Sequence, residues 1–413
     1  MLKIAFVSPT FSPQMSGYAG MALPKAMAEL GSAEVHVISA NLNVYYYNPD
    51  YSRIYEQFLG PPVLRCCTEI QNGCTLHRLP HWKIRGHVYI RGLARLLSQL
   101  KPDVVQAWIP NGPIALQLAL LKQFLGFRFF TGQHTTKSVF PLVNQSRIGM
   151  KDWLKVFCSR IVPGRLVSWA SEGCYAATID CGELAVRFMG VQKPKCLIRN
   201  LGVNTEMFHP ASTPEELFER ERMRHNLGFS RDDVVCCYTG RFTDDKNPLC
   251  LAKAIHQFCN EGRPFKGLFI GEGPQKSEIE ACSGCITIPF LNYRELPPFY
   301  RLADIGVWPT QESTSMLDAS ASALPVVVSD RLVARERIEG NGLTYSQNDP
   351  GDMILVLASL ESKDERRKLG DVGRKRMVQK FSWVAVAQRT LADFDLALAA
   401  SQSYHKKNTR QVS

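Results

Sequence analysis

The chain has 413 residues, more than one ordinary core accommodates, and suits two α/β domains of roughly 200 residues each. Hydrophobic residues make up 45% and charged residues 21%, a balance that excludes a disordered chain. The formal charge of +11 favours anionic partners such as phosphates or an acidic membrane surface. Basic and aromatic residues are not interleaved as in a nucleic-acid module, so no nucleic-acid partner is expected.

The first apolar run, Ile4-Ala5-Phe6-Val7 after Met1-Leu2-Lys3, is too short for a signal peptide and reads as a strand. No window approaches the ~18 apolar residues of a membrane span, and Ile114–Leu121 is broken by Gln117. A cytoplasmic protein is expected. Strand-length apolar runs alternate with helix-length amphipathic segments, the pattern of a parallel sheet covered on both faces. In the first half the expected strands are Ile4–Ser8, Glu34–Ser39, Thr75–Leu79, Val104–Ala107, Phe129–Gly132 and Tyr175–Ile179. The second series is Val235–Thr239, Lys266–Ile270, Cys285–Ile288, Ile305–Trp308 and Pro325–Val328. Asn41–Arg65, with Tyr45-Tyr46-Tyr47, reads as a long irregular loop of the kind that borders a substrate site. Pro210-Ala-Ser-Thr-Pro214 reads as a linker before the charged helix Glu215–Arg224. Trp383–Ala399 reads as a closing helix and His405–Ser413 as a disordered basic tail.

Most of the thirteen cysteines lie in apolar stretches, and Cys282-Ser-Gly-Cys285 is a lone CxxC without a second pair. Reduced thiols are therefore expected rather than disulfides or structural zinc.

Open parallel sheets bind ligands where strand ends lead into helix starts. Four such loops suit a phosphate. Ser16-Gly17-Tyr18-Ala19-Gly20 allows close backbone approach at a helix start, or simply satisfies a turn. In Gly240-Arg241-Phe-Thr-Asp-Asp-Lys246 two cations can converge on a diphosphate, or pair on the surface with Asp244 and Asp245. Gly271-Glu272-Gly273-Pro274 keeps side chains out of a cleft, or is only a tight turn. In Glu312-Ser-Thr-Ser-Met-Leu-Asp318, small residues let a helix start approach a diphosphate, with Asp318 placed for a ribose diol. The plain alternative for Asp318 is a carboxylate favourably placed at a helix start.

In this order the four loops resemble glycosyltransferase family 4, retaining enzymes of GT-B fold, over nearly the whole chain. The resemblance extends to Lys101-Pro-Asp-Val-Val-Gln106, Arg199-Asn-Leu-Gly-Val-Asn204, Leu324-Pro-Val-Val-Val-Ser-Asp330, Asn341-Gly-Leu with Asp349-Pro350, and Phe381-Ser-Trp383. It implies two Rossmann-like domains facing across a cleft. Residues 1–200, completed by helix 383–400, would form the acceptor domain. Residues 201–382 would form the donor domain, leaving 401–413 as a tail. Arg241 and Lys246 would bind the donor diphosphate with the backbone of Ser315, Met316 and Leu317, beside Gly240, Gly271 and Gly273. Asp318 would hold the ribose and Glu312 the transferred sugar. Gly17 would border the phosphates, His134 would face the sugar, and Phe290 and Leu291 would meet the base. For His134 taken alone, a satisfied core histidine is the alternative reading.

Two departures stand out. The family's glutamates are separated by seven residues, whereas Glu312 and Asp318 have five between them, and the second is an aspartate. The family's Phe-Gly-Leu stretch is replaced by Thr314-Ser315-Met316. These motivate an alternative: a catalytically weak or inactive GT-B protein that binds a sugar nucleotide. The activity implied is retaining transfer of a hexosyl unit from a UDP- or GDP-sugar to a glycan, lipid-linked or small-molecule acceptor. No metal or other cofactor is implied, and Asp393-Phe-Asp395 lies in the closing helix. Arg147–Val162 and Lys83–Leu97 carry basic and apolar residues at helical spacing, which suits peripheral contact with the inner face of a membrane. Helices packed on the first domain with a solvated basic face are the alternative.

Overall fold

The computed structural model describes residues 1–12, 19–136, 140, 149–310 and 313–411. It divides into two compact units, Met1–Leu201 with Trp383–Ser413, and Gly202–Ser382. Both are α/β sandwiches, as a GT-B chain requires.

The first unit is built on β1 (Leu2–Ser8), β2 (Ala33–Ala40), β3 (Cys67–Gln71) and β4 (Cys74–Leu79). A separate hairpin follows, β5 (His81–Ile84) and β6 (His87–Ile90). Then come β7 (Val104–Ala107), β8 (Arg128–Gln133), β9 (Gly173–Ala176) and β10 (Cys196–Ile198). The eight-stranded sheet has the order β10-β9-β8-β7-β1-β2-β4-β3, parallel except for the edge strand β3. Its helices are α1 (Ala19–Glu29), the short α2 (Tyr51–Ile54) and α3 (Glu56–Leu59), α4 (Leu93–Leu100), α5 (Pro113–Leu125), α6 (Met150–Val156), α7 (Val162–Ala170) and α8 (Ile179–Phe188). A π-helical turn, Phe157–Ile161, joins α6 to α7.

Near-continuous apolar strands such as β1, buried from Ile4 to Val7, are what a sheet covered on both faces demands. On one face Ala5, Val7, Val105 and Phe129 pack under α4, α5 and α7; on the other Ile4, Phe6 and Phe130 meet α1.

The second unit has β11 (Val234–Thr239), β12 (Phe265–Ile270), β13 (Cys285–Ile288), β14 (Ile305–Trp308), β15 (Val326–Ser329) and β16 (Gly342–Tyr345), all parallel in the order β13-β12-β11-β14-β15-β16. The helices are α9 (Pro214–Asn226), α10 (Pro248–Asn260), α11 (Lys276–Glu280), α12 (Pro297–Leu302), α13 (Ser315–Ala321), α14 (Pro350–Ala358) and α15 (Lys363–Arg376). Thr213 starts α9 with a reciprocal cap to Glu216, and Pro214 occupies the first helical position, where a missing N–H costs nothing.

The last helix, α16 (Trp383–Gln411), returns to the first unit. Its Phe394 ring lies 4.9 Å from that of Phe130, and Arg199 donates twice to the Asp393 carboxylate, at 2.8 and 2.7 Å. The first carboxylate of Asp393-Phe-Asp395 is thus held by an arginine. The backbone is helical through Gln411 where a disordered tail was expected, and Val412 and Ser413 lie outside the described residues.

Four further expectations are corrected. Lys83–Leu97 is not a helix: Arg85 and Gly86 adopt φ of 49° and 80°, close the β5–β6 hairpin, and leave only α4 helical. The strand placed at Tyr175–Ile179 ends at Ala176, because Thr178 caps α8 by accepting from Cys181 N at 3.2 Å. The basic stretch within Arg147–Val162 begins its helix at Met150, and the π turn interrupts it. Asn41–Arg65 is ordered by α2, α3 and a Leu42–Val63 bridge, with buried Asn43 donating to the Leu59 carbonyl at 2.6 Å.

Candidate functional site

In the second sheet, chain order reverses at β11, whose neighbours are β12 and β14. Such a switch point opens a crevice beyond the strand ends. A partly open pocket lies there, lined by Thr239 and Gly240 from the end of β11, by Trp308 and Ser313 around the end of β14, and by Lys246. Hydrogen bonds fix its wall. Trp308 Nε1 donates to the Thr239 carbonyl at 3.2 Å, and the Thr239 and Tyr300 hydroxyls pair at 2.8 Å.

Lys246 reaches the pocket because the loop after β11 folds back. Lys246 N and Asn247 N both donate to the Thr243 carbonyl, at 2.9 and 2.7 Å, and Asn247 at φ 45° turns the chain into α10. The half-buried ammonium makes no hydrogen bond or ion pair among the described residues. Burial lowers its pKa from 10.5 to about 8; Asp245 works against that shift and Arg241 adds to it. A partly desolvated cation that makes no direct ion pair among the described residues attracts an anion strongly.

Arg241 differs. Its side chain is exposed, pairs with Asp245 at 3.5 Å and does not line this pocket. Asp244 accepts from Gln275 Nε2 at 2.8 Å. The surface alternative therefore describes Arg241 and not Lys246.

The three glycines have packing work. Gly271 and Gly273, at φ 149° and 156°, sit against the preceding loop, where an added Cβ would overlap the Gly240 and Phe242 carbonyl oxygens. The two loops are tied by Phe242 N donating to the Glu272 carbonyl at 2.9 Å and Gln275 N to the Phe242 carbonyl at 3.0 Å. Gly240, at φ 150°, lies beside the Tyr238 hydroxyl.

At the start of α13, Ser315 N donates to Ser313 Oγ at 3.2 Å, Met316 N to the Ser313 carbonyl at 3.3 Å, and Leu317 N to the Thr314 carbonyl at 2.9 Å. These N–H groups are engaged within their own loop, and Met316 and Leu317 are buried. Asp318 is buried too and accepts from the Tyr293 hydroxyl at 3.1 Å. Desolvation raises its pKa from 3.8 to about 7, against the opposing effect of that hydrogen bond. Phe290, beyond β13, is exposed; Leu291 packs partly on the core. Gly17 and Glu312 lie outside the described residues.

In the first unit, His134 follows β8 and is open to solvent, although surrounding protein lowers its pKa by desolvation. It is not a core histidine. It lines a second, partly open pocket with Gln106, Trp108, Gln133, Arg199 and Trp383. Gln106 Oε1, Trp108 Nε1 and Trp383 Nε1 are buried there without a hydrogen-bond partner among the described residues. Buried polar atoms are normally satisfied, so a water or ligand is expected to meet them. Among the described residues no group of three or more His, Cys, Asp or Glu side chains is arranged to hold a metal.

Residues 233–362 match the family model of glycosyl transferases group 1. The provisionally named glycosyltransferase EpsD of Bacillus subtilis is 25% identical over 69% of this chain and 74% of its own length. Alpha-maltose-1-phosphate synthase of Mycolicibacterium smegmatis is 26% identical over 47% of this chain and 55% of its own. Among solved structures, Anabaena Alr3699/HepE in complex with UDP superposes with a TM-score of 0.68 at 12% identity, covering 95% of this chain and 100% of that one. This chain is a glycosyltransferase of GT-B fold.

In this glycosyltransferase the sequence reading missed Tyr293, Tyr300 and Trp308. Tyr293 orients Asp318, while Tyr300 and Trp308 brace the end of β11. Nothing local marks them, because each partner is brought up by a different element. Only the position of Trp308 at the end of an apolar run hinted at a place near the crevice.

Proposed function

We propose that the enzyme transfers a hexosyl unit, with retention, from a UDP- or GDP-sugar to an acceptor hydroxyl in glycan or glycolipid synthesis. The observation that carries this reading is the half-buried ammonium of Lys246, which makes no direct ion pair among the described residues, in the switch-point pocket. A donor diphosphate gives Lys246 a direct ion-pair partner. As the bond to the anomeric carbon breaks, charge grows on the leaving oxygen, and a preorganised cation stabilises it. Arg241 joins by leaving Asp245, a small sacrifice because exposed ion pairs are weak. No metal is needed for that step. Asp318, oriented by Tyr293, accepts from the ribose. His134, Glu312 and Gly17 keep the roles the resemblance implies. Exclusion of water then protects the donor from hydrolysis.

HepE and a second structure of it are described with UDP and UDP-glucose, which supports a uridine donor here. The enzyme acts in the cytoplasm, in peripheral contact with the membrane that carries its acceptor. The test is a thermal-shift series with UDP, GDP and ADP on wild type and Lys246→Ala, followed by NMR of the product anomer. One nucleotide should raise the wild-type transition and leave the variant unmoved; equal shifts in both would remove Lys246 from the site. A second reading, a sugar-nucleotide binder without turnover, is favoured by the engaged N–H groups at the start of α13. Nucleotide binding with no transfer to any acceptor would select it.

A further inference from the structure

One face of the first sheet is covered by α4, α5 and α7 together with Val88 and Ile90 of β6. Within that layer α5 packs on both α7 and β6. Helices lying side by side on one sheet face turn their outward residues to the same side. On α7 these are Val162, Leu166 and Trp169, one turn apart; on α5 they are Leu120 and Phe124. α6 adds Met150, Leu154 and Trp153, whose ring stacks on Phe157 at 5.3 Å, and β5 adds Trp82 and Ile84. All of them are exposed.

Single exposed apolar residues are ordinary, but here they recur on adjoining elements. Tryptophan is the sharpest marker. Trp82, Trp153 and Trp169 are 55%, 49% and 71% exposed, whereas Trp308 and Trp383 are 3% and 7% exposed. Exposed cations lie among them: Lys83 and Arg85 at the hairpin, Lys151 and Lys155 on α6, Arg165 on α7. None forms an ion pair among the described residues. Asp152 is the one acidic residue in the sequence of α5, α6, α7 and the hairpin.

We propose that this face docks on an anionic lipid bilayer, with Trp153, Leu154, Leu166 and Trp169 in the boundary between headgroups and acyl chains. Lys151, Lys155 and Arg165 then meet lipid phosphates. Apolar side chains rimmed by unpaired cations meet the two requirements of an interfacial element: area to bury and charge to attract. A second copy of this chain is a poorer occupant, because a two-fold contact would set cation against cation. This inference rests on the membrane-contact reading above, but its readout needs no donor.

The experiment uses the full chain with phosphatidylcholine vesicles, with and without phosphatidylglycerol, and with brominated lipid as a tryptophan quencher. Association with anionic vesicles and quenching of tryptophan emission are expected. Leu166→Glu with Trp169→Glu, and separately Lys151→Glu with Lys155→Glu, should each lower partitioning by about tenfold or more. Nucleotide thermal shifts on the same samples report whether the donor reading stands or falls independently. Three outcomes would overturn the proposal: no association of wild type with either vesicle; association at low salt without quenching, which marks adhesion by charge alone; or a stable dimer by light scattering that the Leu166/Trp169 variant dissolves. Should a variant fail to fold, wild-type quenching alone decides.

Discussion

Lys246 carries one full charge at neutral pH only narrowly. Its folded pKa of about 8 lies below the ordinary 10.5, so the unfolded chain holds the extra proton between those values. Stability contributed by this residue therefore rises with pH from about 8 to 10.5, and below 8 its buried charge is a cost. Ligand binding runs the other way. A diphosphate needs the protonated amine, so affinity should fall above pH 8, approaching about tenfold per pH unit. Calorimetric titration at pH 7 to 9 in buffers of different ionisation heat should also detect proton uptake on binding near pH 8.5. A flat affinity across that range would mean that the amine does not touch the ligand.

Asp318 has the opposite linkage. Its carboxyl is raised from 3.8 to about 7, so the folded state holds the extra proton between them. The stability it contributes is greatest below 3.8 and is lost as pH climbs to 7. Asp318→Asn, which still accepts from Tyr293, should gain on wild type in urea midpoint between pH 5 and pH 8. A constant difference would show that the carboxyl titrates normally.

At the scale of elements, the loop after β11 and the loop after β12 are one packed unit. Gly271 is held at φ 149° with its α-carbon against the Gly240 carbonyl. Gly271→Ala combines backbone strain with overlap and should cost about 2–4 kcal/mol in chemical denaturation. A loss under about 0.5 kcal/mol would mean that the two loops separate easily. The strands themselves were legible: apart from the run ending at Ile179, every expected strand agrees with the structure to within two residues at each end. The omissions are β3, the β5–β6 hairpin, β10 and β16. For β3 the signal was present, since Asn72-Gly73 is a strong hairpin turn, but its outer residues are exposed and lack an apolar run. The β5–β6 segment misled because basic and apolar residues alternate ambiguously over ten positions, while the turn that decides it is two residues long.

For the whole molecule, the donor reading places the nucleotide on Gly202–Ser382. Saturation at about a hundred times Kd should stabilise that unit by about 2.7 kcal/mol. Hydrogen exchange with nucleotide alone should then show new protection around the ends of β11 and β14. Protection confined to residues 1–201 would move the donor site to the other unit.

The sequence alone determined the alternation of strand and helix, the parallel sheets, and the strand-to-helix loops that are candidates to meet a phosphate. Those features follow from apolar periodicity and local turn chemistry, which act over a few residues. Tertiary structure decided which of two nearby cations forms an ion pair among the described residues, since Arg241 finds Asp245 while Lys246 is drawn into a pocket walled by β14. It also decided that Asp318 is buried against Tyr293, and that apolar residues from α5, α6, α7 and β5 lie on adjoining elements at the surface. Each of those outcomes depends on which distant segments share a sheet face or a strand end, and no local pattern in the chain encodes that.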